Sequence, residues 1–126
     1  MYRKKMEELK KWKESSDRKP LIIRGARQVG KTWLMKEFGA QEYEKTAYIN
    51  FDDNIRMEKL FEDDFDIDRL IQGLKIESGV NIEPENTLII LDEIQEVPKA
   101  LKALKYFCEN ANQYHIVSAG SLLGVA

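Results

Sequence analysis

Residues 87–93, Thr-Leu-Ile-Ile-Leu-Asp-Glu, constrain the fold more than any other stretch of the chain. Leu88, Ile89, Ile90 and Leu91 follow one another with no polar residue between them. A strand with one wet face would alternate apolar with polar side chains, so this run predicts a strand buried on both faces, as in a parallel sheet covered by helices on either side. The run stops at a pair of acids, Asp92 and Glu93. In open α/β sheets the carboxyl ends of the strands are where ligands bind.

The surrounding pattern agrees with a parallel sheet. Tyr2, Met6, Leu9 and Trp12 recur at helical spacing among charges and predict an amphipathic helix over residues 2–14, ended by Ser15, Ser16 and Asp17. After Pro20, Leu21, Ile22 and Ile23 form a short apolar run stopped by Gly25 and predict a buried strand. Trp33, Leu34, Met35 and Phe38 then predict a helix closed by Gly39, with Trp12 and Trp33 both expected in the core. Residues 46–51 read as a second strand, and Asp52, Asp53 and Asn54 can cap a helix starting near Ile55. Ile67, Leu70, Ile71 and Leu74 mark another helix, with residues 79–86 as the loop behind it. Val97, Leu101, Leu104 and Cys108 predict one face of a further helix, Pro98 suiting its first turn, and residues 114–121 read as a fourth strand. Strand and helix alternate throughout, which is the signature of an α/β fold.

With 126 residues, 43% of them hydrophobic, the chain has material for one core. No apolar run approaches the roughly 20 residues that cross a bilayer, and no apolar segment follows the basic start, so a cytoplasmic chain with no membrane association is expected. Cys108 is the sole cysteine, which excludes an internal disulfide and predicts a buried structural thiol. The net charge of −2 is unevenly spread: lysine and arginine dominate up to residue 36, while aspartate and glutamate crowd residues 37–96. A basic face toward nucleic acid is therefore one reading and a solvated helix face the other. The acidic residues 63–68 do not complete a calcium loop, because Arg69 stands where glycine is required and Lys75 where the closing glutamate belongs. His115, the only histidine, is expected to pack rather than react.

Residues 25–32, Gly-Ala-Arg-Gln-Val-Gly-Lys-Thr, match the phosphate-binding pattern G-x-x-x-x-G-K-[ST], with a strand before and a helix after. Glycines let successive backbone N–H groups turn inward around a phosphate, and the helix adds its positive end. Gly25, Ala26, Arg27, Gln28, Val29, Gly30, Lys31, Thr32 and Trp33 are the nucleotide-binding candidates. Lys31 would reach the β- and γ-phosphates, and the Thr32 hydroxyl would be a Mg²⁺ ligand. Asp92 supplies the second group on the metal, and Glu93 can orient and deprotonate an attacking water. Ser118 and Ser121 are candidates to reach the γ-phosphate from the fourth strand, Ser121 being better placed just past Gly120. Trp12 or Arg18 could flank a base. No Asn-Lys-x-Asp base reader is present, so ATP is favoured over GTP.

Taken together, residues 22–34, 49–53, 88–101 and 116–126 resemble the prokaryotic AAA-type ATPases that carry a C-terminal domain of unknown function. The resemblance covers essentially the whole chain. It implies the additional-strand type of P-loop fold with spatial strand order 2-3-4-1, residues 1–19 being an N-terminal helix and lead-in and residues 20–126 the P-loop sheet. By that likeness residues 25–32 are the Walker A loop, Asp92 and Glu93 the Walker B pair, and Ser121 the first sensor. Family members continue into a fifth strand, a helical lid and a C-terminal region, so the chain is expected to be the N-terminal part of a longer protein, stopping in the apolar residues 121–126. The resemblance implies ATP and Mg²⁺ as cofactors, ATP or ADP as ligand, and contacts between copies in a homo-oligomer that supply an arginine finger. The expected activity is Mg²⁺-dependent ATP hydrolysis, feeble in this fragment. The alternative is a nucleotide-gated switch with little turnover.

Overall fold

The structure, a computed structural model, describes residues 2–24 and 29–120. The candidates Gly25, Ala26, Arg27, Gln28 and Ser121 lie outside the described residues, as do residues 122–126. In chain order the elements are α1 (Tyr2–Glu14), β1 (Leu21–Arg24), α2 (Val29–Glu42), β2 (Lys45–Asn50), α3 (Ile55–Leu60), α4 (Ile67–Ser78), β3 (Thr87–Asp92), a 3-10 turn (Ile94–Glu96), α5 (Pro98–Asn110) and β4 (His115–Gly120).

The four strands form one parallel sheet in the order β1-β4-β3-β2, which is the expected 2-3-4-1 arrangement read from the other edge. β3 and β4 are the interior strands, and every residue of both is buried. The unalternating apolar run thus sits where two covered faces require it. Strand parity separates two cores. Leu88, Ile90, Val117 and Ala119 pack with Met6 and Leu9 of α1 and Leu34, Met35 and Phe38 of α2. Ala47, Ile49, Ile89, Leu91 and Ile116 turn the other way, onto Met57 of α3, Leu70, Ile71 and Leu74 of α4, and Ala100, Leu104 and Phe107 of α5. Each fully buried Leu or Ile side chain contributes roughly 1.5–3 kcal/mol against exposure.

Local signals fix the helix ends. Asn54 caps α3, its side chain accepting from the Met57 amide, and Asp66 caps α4 by accepting from Arg69. Gly79 ends α4 at φ 71°, a left-handed conformation that favours glycine. The acidic turn at residues 63–68 is therefore a capping segment: Asp64 pairs with Arg69 as Asp66 opens the helix.

Three sequence expectations about α2 and α5 need correction. Gly39 does not close α2, which runs on to Glu42; it lies inside the helix, where a Cβ would run into Thr46 Oγ1. The glycine is there for close helix–sheet approach. Trp33 is 50% exposed rather than core, because Leu34, Met35 and Phe38 already fill the inward face of α2. On α5 the buried stripe is Ala100, Ala103, Leu104 and Phe107, while Cys108 is only half-buried. Small alanines bring α5 close to the sheet and rotate the inward face from the one that the larger residues had marked.

The amino ends of the strands carry a polar cluster centred on the buried His115 and Tyr43. His115 Nδ1 and Tyr43 Oη share a 2.6 Å hydrogen bond, and the Trp12 ring stands edge-on to His115 at 5.9 Å. Trp12 Nε1 donates to the Lys19 carbonyl, and the Arg18 guanidinium donates to the carbonyls of Lys13 and Asn112. These contacts place Trp12 and Arg18 at the end of the sheet opposite Asp92, so neither flanks a base at the strand carboxyl ends. Burial, aided by Arg18 and Lys13, lowers the His115 pKa from 6.5 to about 4. The folded chain keeps this imidazole neutral while the unfolded chain protonates near 6.5, so the unfolded state binds more protons between these values. Stability is expected to fall as pH drops from about 6.5 toward about 4. Urea midpoints measured across this range should drop, and His115→Gln should flatten the upper part of the slope, where few carboxylates titrate. An unchanged slope in that variant would rule His115 out as the cause.

Candidate functional site

At the other end of the sheet, Arg24, Asn50, Asp92 and Gly120 are the last residues of their strands. Asn50 is in register with Asp92, Asp92 with Ala119, and Arg24 with Gly120. Helix α2 opens at Val29 beside this row, with Gly30 and Lys31 half-buried in its first turn. The backbone N–H groups of a first helical turn have no partner within the helix, and they carry the positive end of its dipole.

Asp92 is the centre of the arrangement. It is 5% exposed, yet its carboxylate is well supplied with donors. Thr32 Oγ1 donates to Oδ2 at 2.7 Å, Tyr48 Oη donates to the same oxygen at 2.7 Å, and the Glu93 amide donates to Oδ1 at 3.0 Å. A carboxylate at the end of an apolar strand would be costly to bury alone, and donors of this kind offset that cost. Burial and the Asp92 carboxylate together push the Tyr48 hydroxyl well above its ordinary range, so it stays a donor. The Tyr48 ring is covered by Lys36 Nζ, 4.1 Å from its centroid.

Glu93 follows in the left-handed region, at φ 54° and ψ 44°, and starts the 3-10 turn. A non-glycine residue in this conformation costs on the order of 1–3 kcal/mol. The turn takes the chain sharply away from the sheet, and Glu93 Oε1 accepts a 2.8 Å hydrogen bond from Gln95 Nε2. Gln95 Oε1 is buried and without a hydrogen-bond partner among the described residues.

The structure thus brings Thr32, Asp92 and Glu93 together with the first turn of α2. The hydroxyl of Thr32 and the carboxylate of Asp92 are hard oxygen donors that could hold a divalent cation. No group of three or more His, Cys, Asp or Glu able to hold a metal occurs among the described residues. Trp33 lines a groove of about 410 Å³ between α1 and α2, together with Arg3, Met6, Glu7, Lys10, Glu37 and Gln41. Ser118 alternates with Val117 and Ala119 and so turns to the sheet face away from Thr32. Two participants escaped the sequence reading, Tyr48 and Gln95. Strand parity could have flagged Tyr48, since in the register it neighbours Ile90, two residues before Asp92 and on the same face.

Helices flank the sheet, but among the described residues none is long and apolar enough to cross a membrane. A family model described as an AAA domain matches residues 17–126. No curated protein matches the chain.

Ser118 Oγ is fully buried with no partner among the described residues. An unsatisfied buried hydroxyl costs roughly 1–3 kcal/mol, so Ser118→Ala is expected to stabilise the chain by about 1 kcal/mol. Urea denaturation would show this as a higher midpoint at constant slope; a lower midpoint would mean that the hydroxyl has a partner.

Proposed function

The chain belongs to the AAA domain family, a nucleotide-binding ATPase type, and on that footing we propose that it binds ATP with Mg²⁺ at the carboxyl ends of β1 and β3 and hydrolyses it. The observation that carries this reading is the 2.7 Å hydrogen bond from Thr32 Oγ1 to Asp92 Oδ2. It joins the end of the phosphate-loop pattern to the end of the central strand across 60 residues of sequence, with a hydroxyl and a carboxylate side by side.

In this reading the amides of residues 25–32 and the Lys31 ammonium hold the β- and γ-phosphates. Thr32 and Asp92 hold the cation, which when bound draws negative charge from the phosphate oxygens. A site of two oxygen ligands fits Mg²⁺, which keeps several waters and relies on substrate phosphates for the rest of its shell. Glu93 orients the attacking water and accepts its proton, and Ser121 contacts the γ-phosphate. Trp33 borders the nucleotide from the first turns of α2. An arginine from a neighbouring copy would complete the site; the want of such a residue typically costs 10³- to 10⁵-fold in rate, so turnover by the lone chain is expected to be slow.

The motif words also support a finer assignment: residues 20–126 as the P-loop sheet of a prokaryotic protein whose C-terminal region, of unknown function, is moved by hydrolysis.

Lys31→Ala removes a charge-assisted contact of roughly 1.5–3 kcal/mol and is expected to weaken ATP binding about ten- to a hundredfold, read by equilibrium binding of a fluorescent ATP analogue. Glu93→Gln is expected to bind ATP like the parent and to release phosphate about 10²- to 10⁴-fold more slowly when assayed in a longer, fully active protein. Equal phosphate release would remove Glu93 from the role of base. Retention of one nucleotide per chain without turnover in the parent would favour a nucleotide-gated switch.

A further inference from the structure

We propose that Tyr48 is a positioning residue for the cation site: its hydroxyl, reaching from β2, fixes the Asp92 carboxylate in the orientation that serves the divalent cation of a bound nucleotide. This rests on the reading of Asp92 as a cation ligand.

An ionised carboxylate offers about four lone-pair positions. Among the described residues, Thr32 Oγ1 and Tyr48 Oη take both positions on Oδ2, and the Glu93 amide takes one on Oδ1. The position left for a cation or its water is therefore on Oδ1. The terminal torsion of an aspartate is soft and roughly two-fold, so the carboxylate turns easily unless held. With donors on one oxygen from α2 and from β2, a rotation that exchanged the two oxygens would break both short bonds. Thr32 supplies one of these bonds, its O–H donating while its lone pairs stay open to the cation, and Tyr48 supplies the other from a separate element.

Tyr48 is itself held. It packs against the core on the α1/α2 face of the sheet, and Lys36, one helical turn beyond Thr32, covers its ring. The residue therefore bridges helix and strand with its oxygen 2.7 Å from Asp92. Residues that hydrogen-bond metal-ligating carboxylates typically change metal affinity 10- to 100-fold when removed.

The test uses Mn²⁺ as a paramagnetic probe, titrated into the 126-residue chain saturated with ADP and followed by electron paramagnetic resonance. Tyr48→Phe keeps the ring and deletes the hydroxyl. It is expected to weaken Mn²⁺ binding about tenfold or more while leaving ADP affinity in EDTA unchanged. Asp92→Asn should weaken Mn²⁺ at least as much. Tyr48→Leu, which removes ring and hydroxyl together, should weaken it no further than Tyr48→Phe. If Asp92→Asn weakens Mn²⁺ binding and Tyr48→Phe does not, or only Tyr48→Leu does, the role of the hydroxyl is overturned and the cation reading stands. If Asp92→Asn also leaves Mn²⁺ affinity unchanged, the cation reading falls and this inference falls with it.

Discussion

The Asp92 carboxylate, accepting at once from a helix, a neighbouring strand and the next amide, is the contact on which the candidate site depends. A buried charge at the end of an apolar strand is costly unless its lone pairs are met. Meeting them requires Thr32 on the first turn of α2, Tyr48 on β2 and the chain turning sharply at Glu93. The parallel register that brings β2 and β4 to either side of β3 is what makes those positions coincide. In this sense the all-apolar central strand and the polar cluster at its tip are one design. The strand supplies a rigid post and the cluster fixes the group on top of it.

The two ends of the sheet divide the work. At the amino ends, Arg18 spends its guanidinium on the carbonyls of Lys13 and Asn112, and His115 is held neutral against Tyr43 and Trp12. Those contacts tie the lead-in after α1 to the start of β4 and consume the polar groups they use. Lysines of α1 are likewise engaged in part: Lys10 and Lys13 pair with Glu42 of α2. At the carboxyl ends, by contrast, the start of α2, the Thr32 hydroxyl, the Asp92 carboxylate and the Glu93 amide meet.

Much of this was legible in residue order because the signals are local. Four consecutive apolar residues announced a covered strand, the group Asp52, Asp53 and Asn54 and, further on, Pro98 announced helix starts, and the strand order expected from the family likeness is the one observed. The misreadings arise where a neighbour in space decides. Gly39 reads as a helix stop by composition, but its lack of a side chain answers the approach of Thr46. The α5 face was assigned to its larger residues, whereas Ala100 and Ala103 are inside because they are small. Tyr48 reads as an ordinary strand aromatic until the register sets its hydroxyl against Asp92. Such pairings need cross-strand geometry, which periodicity along one strand does not contain.

The central claim is that the helix start and the central strand tip form one site for a nucleotide together with its cation. Titration calorimetry of the chain with ATP, first in EDTA and then in excess Mg²⁺, tests it directly. The account predicts saturable binding at one site, tighter with Mg²⁺ than without. Absence of saturable binding in both conditions, from a chain whose circular dichroism shows the folded α/β structure, would contradict it.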